Sequence, residues 1–219
     1  VHAIPEMGPA SKGKAIVNLL NLAPTERVAT TVAVRAFPEN RFLMFATEKG
    51  TVKKTELAAY GNPRADGIIG ISIDDGDCLL AVKVTDGTKD MLLATASGYS
   101  IRFPESDVRP MGRATYGVRG ITLRPGDRVV SMEELEPECE ILSVAAHGYG
   151  KRTPVDFYRR QTRGGLGIIN LKVSDKTGEV IGARYVVPHD GLMLITQEGM
   201  IIRMNVAGIR VVGRSSQGV

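Results

Sequence analysis

Four apolar runs, at 42–47, 91–95, 141–145 and 192–196, each stop three residues short of a glycine, and a second extended run follows each glycine at once. An apolar strand, a glycine and a second strand make a β-hairpin, with Gly50, Gly98, Gly148 and Gly199 supplying the positive φ of the tight turn. Apolar residues at helical spacing are nearly absent. Residues 55–60 and 155–159 suffice for single turns only, too short for independent helices. Pro, Gly and Asp turns separate the remaining short extended segments, for example 74–77 and 124–127, which gives about four strands per unit.

A second pattern runs in step with the hairpins. The segments 12–19, 66–73, 116–123 and 164–171 align as glycine-rich loops entering an apolar strand, and 217–219 begins a fifth copy. Aligned in this way, the shared glycine falls at 13, 67, 117, 165 and 218, at intervals of 54, 50, 48 and 53 residues. A period near 50 with four short strands per unit predicts an all-β, propeller-like array of four-stranded blades. The expected organisation is one domain over 1–219, with blade-like repeats near 9–59, 60–106, 107–156 and 157–207 and a partial repeat at 208–219. Residues 1–8 read as the tail of an earlier unit, and the chain stops within the fifth copy, so it reads as a fragment or an incomplete ring.

Charge sharpens the picture through its distribution. The net charge is only +4, yet the glycine loops and hairpin segments together carry 17 Lys/Arg against 2 Asp/Glu, leaving 11 bases and 22 acids elsewhere. A cation stands four residues past every hairpin glycine (Lys54, Arg102, Arg152, Arg203), and Lys53 and Lys151 add a neighbour. In a radial array equivalent positions share a radius and a face, so these cations are expected to form a continuous positive band. The loop Gln161-Thr162-Arg163-Gly164-Gly165-Leu166-Gly167 is the fullest copy, and glycines beside an arginine let backbone amides and a guanidinium approach a phosphate together.

Other chemistries find little footing. His2, His147 and His189 are scattered, and Cys78 and Cys139 form neither a CxxC pair nor a disulfide framework, so neither a zinc site nor a cofactor is expected. Asp74, Asp75 and Asp77 lack the loop-closing glutamate of a calcium site and read as a polar turn. The glycine loops have no Gly-Lys-Ser/Thr and no following helix, which sets them apart from nucleotide-binding loops. No catalytic or metal-ligating residue is assigned. No apolar run reaches the length of a membrane span and no signal-type segment opens the chain, so a cytoplasmic setting and no membrane partner are expected.

With the repeats laid out, the whole chain resembles the C-terminal domain of the gyrase A component of DNA gyrase and, more loosely, that of its topoisomerase IV relative. The resemblance rests on Gly50-Thr51-Val52-Lys53-Lys54-Thr55, Arg109-Pro110-Met111-Gly112-Arg113-Ala114-Thr115, Gly148-Tyr149-Gly150-Lys151-Arg152-Thr153 and Val212-Gly213-Arg214, in their usual order. It implies a β-pinwheel, a relative of the propeller, whose basic outer rim bends double-stranded DNA around itself. The partners would be the rest of the gyrase A polypeptide together with gyrase B, in a nucleoid-associated enzyme of the bacterial cytoplasm. The strand-passing tyrosine and the ATPase that drives negative supercoiling would lie on other parts of that type II topoisomerase. Gln161, Arg163, Gly164, Gly165 and Gly167 match the family's glycine box, with Thr162 and Leu166 at its two variable basic positions. The comparison puts this copy in the fifth blade, with the first-blade copy lying ahead of the chain.

The expected phosphate contacts are Lys12, Lys14, Lys53, Lys54, Arg102, Arg113, Arg119, Lys151, Arg152, Arg159, Arg160, Arg163, Arg203 and Arg214. Such contacts give strong, salt-sensitive and sequence-tolerant affinity. Three alternatives stay open at this level. Any single cation can be a solvated surface charge, the glycines can serve turn geometry and blade packing first, and Gln161 can tie one blade to the next. A propeller-type platform for acidic protein partners is the rival reading of the whole band.

Overall fold

A computed structural model describes residues 6–8, 10–15, 20, 22–23, 26–62, 64 and 67–219. Residues 16–19 and Asp66, which belong to the first two loop copies, lie outside the described residues. The strands are β1 (Phe42–Thr47), β2 (Thr51–Glu56), β3 (Leu79–Thr85), β4 (Asp90–Thr95), β5 (Tyr99–Pro104), β6 (Val118–Arg119), β7 (Val129–Leu135), β8 (Glu140–Ala145), β9 (Gly150–Pro154), β10 (Ile168–Ile169), β11 (Val180–Val186), β12 (Gly191–Ile195) and β13 (Ile201–Asn205). The four expected hairpins are β1–β2, β4–β5, β8–β9 and β12–β13. Their glycines have φ of 86° (Gly50), 83° (Gly98), 84° (Gly148) and 82° (Gly199), values that L side chains rarely adopt. Among the described residues the only helical segments are 3-10 turns such as Glu105–Asp107, Val155–Phe157 and Val206–Gly208, and no helix is long and apolar enough to cross a membrane.

The sheets run β3-β1-β2-β6, β10-β5-β4-β7, β11-β8-β9 and β12-β13. Each of the first two sheets therefore gathers strands from three successive sequence repeats: a hairpin, a long partner strand one repeat on, and a two-residue edge strand from the glycine loop two repeats on. The third sheet follows the same plan, because Gly150 and Val219 exchange backbone hydrogen bonds at 3.0 Å each. Strand β7 contacts both β3 and β11, so the long partner strands gather on one side, and the glycine-loop strands β6 and β10 take the opposite sheet edges.

The core lies between sheets. Met44, Ala46 and Val52 of the first sheet pack with Met91, Leu93, Ile101, Phe103 and Met132 of the second, and Leu92 and Ala94 of the second pack with Ile141 and Ala183 of the third and with Val155 and Tyr158 of the turn after β9. Both faces of β4 are buried, so its run reads as continuously apolar rather than alternating. Burying each large side chain of this kind contributes about 1.5–3 kcal/mol.

The tertiary structure also corrects the register of the loop repeat. Strand β6 (Val118–Arg119) is equivalent to β10 (Ile168–Ile169), as the amides of Gly120 and Ile121 bond the Gly50 carbonyl and those of Asn170 and Leu171 bond the Gly98 carbonyl. The glycine matching Gly117 and Gly218 is thus Gly167, and not Gly165. A Cβ on Gly117, Gly167 or Gly218 would lie 2.2, 2.5 or 2.8 Å from the carbonyl oxygen of Val52, Ser100 or Gly150. The passing hairpin strand excludes any side chain there. Gly165 has no such contact, and the consecutive glycines of 164–167 had drawn the alignment two residues off.

Candidate nucleic-acid interface

The cations four residues past the hairpin glycines do not form an exposed band, which corrects the sequence expectation for Lys54, Arg102 and Arg152. Lys54 is 4% exposed; its Nζ donates to the Glu105 carbonyl at 3.0 Å, lies 3.8 Å from Glu105 Oε1, and sits 5.2 Å above the Phe42 ring. Arg102 donates from Nε to Asp90 Oδ2 at 2.8 Å and from Nη1 to the carbonyls of Val155 and Tyr158 at 3.2 Å each. Arg152, 6% exposed, donates to Glu140 Oε2 at 2.5 Å and to the carbonyls of Ile209 (2.9 Å) and Ala207 (3.2 Å). Each cation thus adds a donor to carbonyls in or just past the 3-10 turn of the following repeat, where a helix end leaves acceptors under-satisfied. Arg203, the fourth of the set, is exposed on β13.

Lys53 and Lys151 also point inward, and both are fully buried. Lys53 Nζ donates to the carbonyls of Gly70 (2.8 Å) and Arg113; Lys151 Nζ donates to those of Gly213 (2.8 Å), Arg214 and Ser216 (3.3 Å). Burial, assisted by the neighbouring Arg113 or Arg214, pulls each ammonium down to about 8. Burial likewise lowers the pKa of Lys54, against the opposing effect of Glu105.

A basic surface does exist, and the glycine loops carry it. In the corrected register Arg113, Arg163 and Arg214 stand four residues before Gly117, Gly167 and Gly218. Each reaches back to the preceding loop strand: Arg113 Nη1 to the Ile69 carbonyl (3.3 Å), Arg163 Nη1 to Arg119 (3.0 Å) and Arg214 Nη1 to Ile169 (2.7 Å). Arg163 adds a bond from Nε to the Asp107 carbonyl at 2.9 Å. Backbone bonds from Gly164 to Gly120, Thr122 to Gly165 and Lys172 to Ser216 continue the stitching, so successive loops lie side by side. The segments 107–121, 157–171 and 206–219 together contain eight arginines and, besides Asp107, no Asp or Glu.

Of the remaining expected contacts, Lys12, Lys14, Arg119 and Arg159 are exposed. Arg160 is also exposed, but its Nε and Nη2 bond Asp90 Oδ1 at 2.9 and 2.6 Å. Gln161 is half-buried; its backbone N–H bonds the Arg102 carbonyl at 2.8 Å, as those of Met111 and Val212 bond Lys54 and Arg152, and its side-chain Nε2 is buried with no hydrogen-bond partner among the described residues. Sequence reasoning missed Arg109 and Arg210. They match Arg159, each eight residues before the excluded-Cβ glycine, and the two-residue slip had hidden the equivalence. All three are exposed, and none has a side-chain hydrogen bond or ion pair with another described residue.

The profile of the DNA gyrase C-terminal domain family, described as a β-propeller, matches residues 1–35, 41–86, 89–134, 140–186 and 192–219. The chain is 51% identical over 218 residues to the DNA gyrase A subunit of Clostridium acetobutylicum, and 43% identical over 219 residues to that of Salmonella typhimurium. Each alignment takes in 100% of this chain and 26% or 25% of the relative, so the chain spans about a quarter of the length of the curated relatives it matches. Among solved structures, the C-terminal domain of DNA topoisomerase IV superposes with a TM-score of 0.88 at 28% identity, covering 94% of this chain and 65% of that one. A DNA gyrase A C-terminal domain superposes with a TM-score of 0.87 at 24% identity, covering 95% of this chain and 70% of that one, a likeness of fold. With the repeat, the sheet order and the stitched arginine loops in agreement, the chain belongs to the DNA gyrase C-terminal domain family, an all-β propeller of the pinwheel type.

Proposed function

We propose that this chain binds duplex DNA without sequence preference and bends or wraps it along the edge formed by the glycine loops. As part of a gyrase A polypeptide, it would act with the rest of that polypeptide and with gyrase B in ATP-dependent negative supercoiling. The observation that carries this reading is the ladder Arg109, Arg159 and Arg210: exposed, equivalent, one per repeat, and without an ion-pair partner among the described residues. Arginines so placed release counterions when they meet phosphates and read no bases. Lys12, Lys14 and Arg119 extend the surface, while the half-buried Arg113, Arg163 and Arg214 hold its loops together. A curved array of such contacts offsets the elastic cost of bending the duplex. The similarity to gyrase A relatives along the whole of this chain favours gyrase over topoisomerase IV as the parent enzyme.

The test is topological. A nicked plasmid sealed in the presence of the domain is expected to show a chiral change in linking number that fades as salt rises. Firm duplex binding with no such change would leave bending without wrapping. An absence of duplex binding at low salt would overturn the reading and favour a platform for acidic proteins.

A further inference from the structure

The three best-described glycine loops are not of one kind. In the loops 112–116 and 213–217 the carbonyl of the box arginine, Arg113 or Arg214, turns inward to the buried ammonium of Lys53 or Lys151. In the loop 161–167 the residue equivalent to those lysines is Ile101, whose Cδ1 lies 3.6 Å from a Cβ placed on Gly165. The Ile101 side chain has no donor to offer an inward carbonyl. The turn differs to match: Gly164 has φ of 82°, whereas its counterparts Ala114 and Ser215 keep negative φ. A positive φ at the third turn position separates type II from type I, and the two differ by a flip of the central peptide. The Gly164 amide then points inward, where it bonds the Gly120 carbonyl at 2.7 Å. Carbonyl and amide of a trans peptide point in opposite directions. In the lysine-held loops the inward carbonyl therefore leaves the amides of Ala114 and Ser215 facing out, and both residues are exposed or partly so, with no acceptor for that amide among the described residues.

We infer that the residue three past the hairpin glycine decides which loops accept a phosphate through the backbone: Lys53 and Lys151 turn the amides of Ala114 and Ser215 outward beside Arg113 and Arg214, and Ile101 turns that of Gly164 away. This deepens the DNA-binding reading and rests on it. The loop with the fullest family box is, on this inference, a structural link between repeats, and its two plainer neighbours are the backbone phosphate sites. An outward amide next to a guanidinium is a suitable pair of donors for one phosphate oxygen.

Amide NMR of the full chain titrated at low salt with a short mixed-sequence DNA duplex tests this directly. The expected result is a shift, with slowed hydrogen exchange, at the amides of Ala114 and Ser215 and neither effect at Gly164. DNA binding with Ala114 and Ser215 silent, or with Gly164 responding equally, would overturn the loop inference alone. No binding at low salt would overturn the DNA reading as well. Exchanging the pairs provides a second measurement. Ile101→Lys with Gly164→Ala should tighten duplex binding about threefold and bring the new amide 164 signal into the responding set. Lys151→Ile with Ser215→Gly should weaken binding about threefold and silence residue 215. Either single change should lower the unfolding midpoint more than its double variant, and simple additivity would overturn the coupling.

Discussion

Arg102 Nε lies 2.8 Å from Asp90 Oδ2 in its own hairpin, while its Nη1 reaches the Val155 and Tyr158 carbonyls of the next repeat. One side chain thus satisfies a buried carboxylate and closes the seam between two sheets. Arg102→Ala is expected to destabilise the domain by about 3 kcal/mol, because the buried Asp90 carboxylate loses one of its two arginine partners and two turn carbonyls lose a donor. The retained Arg160–Asp90 pair limits the loss. Urea unfolding checks this. Duplex affinity of the folded variant should stay within about twofold of the parent, since the guanidinium faces inward.

Arg159 should behave oppositely. Arg159→Ala, and likewise Arg109→Ala and Arg210→Ala, should leave unfolding unchanged within about 0.5 kcal/mol, as expected for exposed side chains without partners. Each should reduce the slope of log affinity against log salt by about 0.9, similarly on unrelated DNA sequences. Fluorescence anisotropy across a salt series measures both; a loss confined to one sequence would contradict phosphate contact.

Gly117 tests the passing-strand constraint. An added Cβ would meet the Val52 carbonyl oxygen at 2.2 Å, so Gly117→Ala should destabilise by about 3 kcal/mol through displaced backbone. Gly126 has φ of 76° but nothing within 4 Å of a Cβ, so Gly126→Ala should show only the conformational term of about 1 kcal/mol. Thermal unfolding of the two variants side by side separates contact from conformation.

Raising pH should stabilise the fold over a defined window. The folded pKa of Lys53 and Lys151 is about 8 against an ordinary 10.5, so between those values the folded state binds fewer protons than the unfolded one. Stability therefore rises with pH there, by about 2 kcal/mol per lysine between pH 7.5 and 9.5. Above about pH 10 the buried Tyr158 hydroxyl, whose pKa burial raises, acts in the opposite sense and stability falls. Urea titrations across this range check the curve, and Lys151→Met should flatten its rising limb by about half.

The amino-acid sequence alone determined the all-β class, the period near 50, the four hairpins with their glycines, and the concentration of arginine in the loops. These are local or periodic properties, written in the spacing of apolar runs and in the few residues that accept a positive φ. Only the tertiary structure decided which cations face water. Lys54, Arg102 and Arg152 share a sequence position that looks like a surface band, yet the next repeat brings a 3-10 turn against them and converts a charge into a seam. Arg109, Arg159 and Arg210 were equally visible as letters, but their equivalence emerged only when Gly167 was seen against the Ser100 carbonyl. A sheet assembled from three repeats leaves no local signal of which strand passes which loop, so close approach sets the register and burial sets the role of each charge.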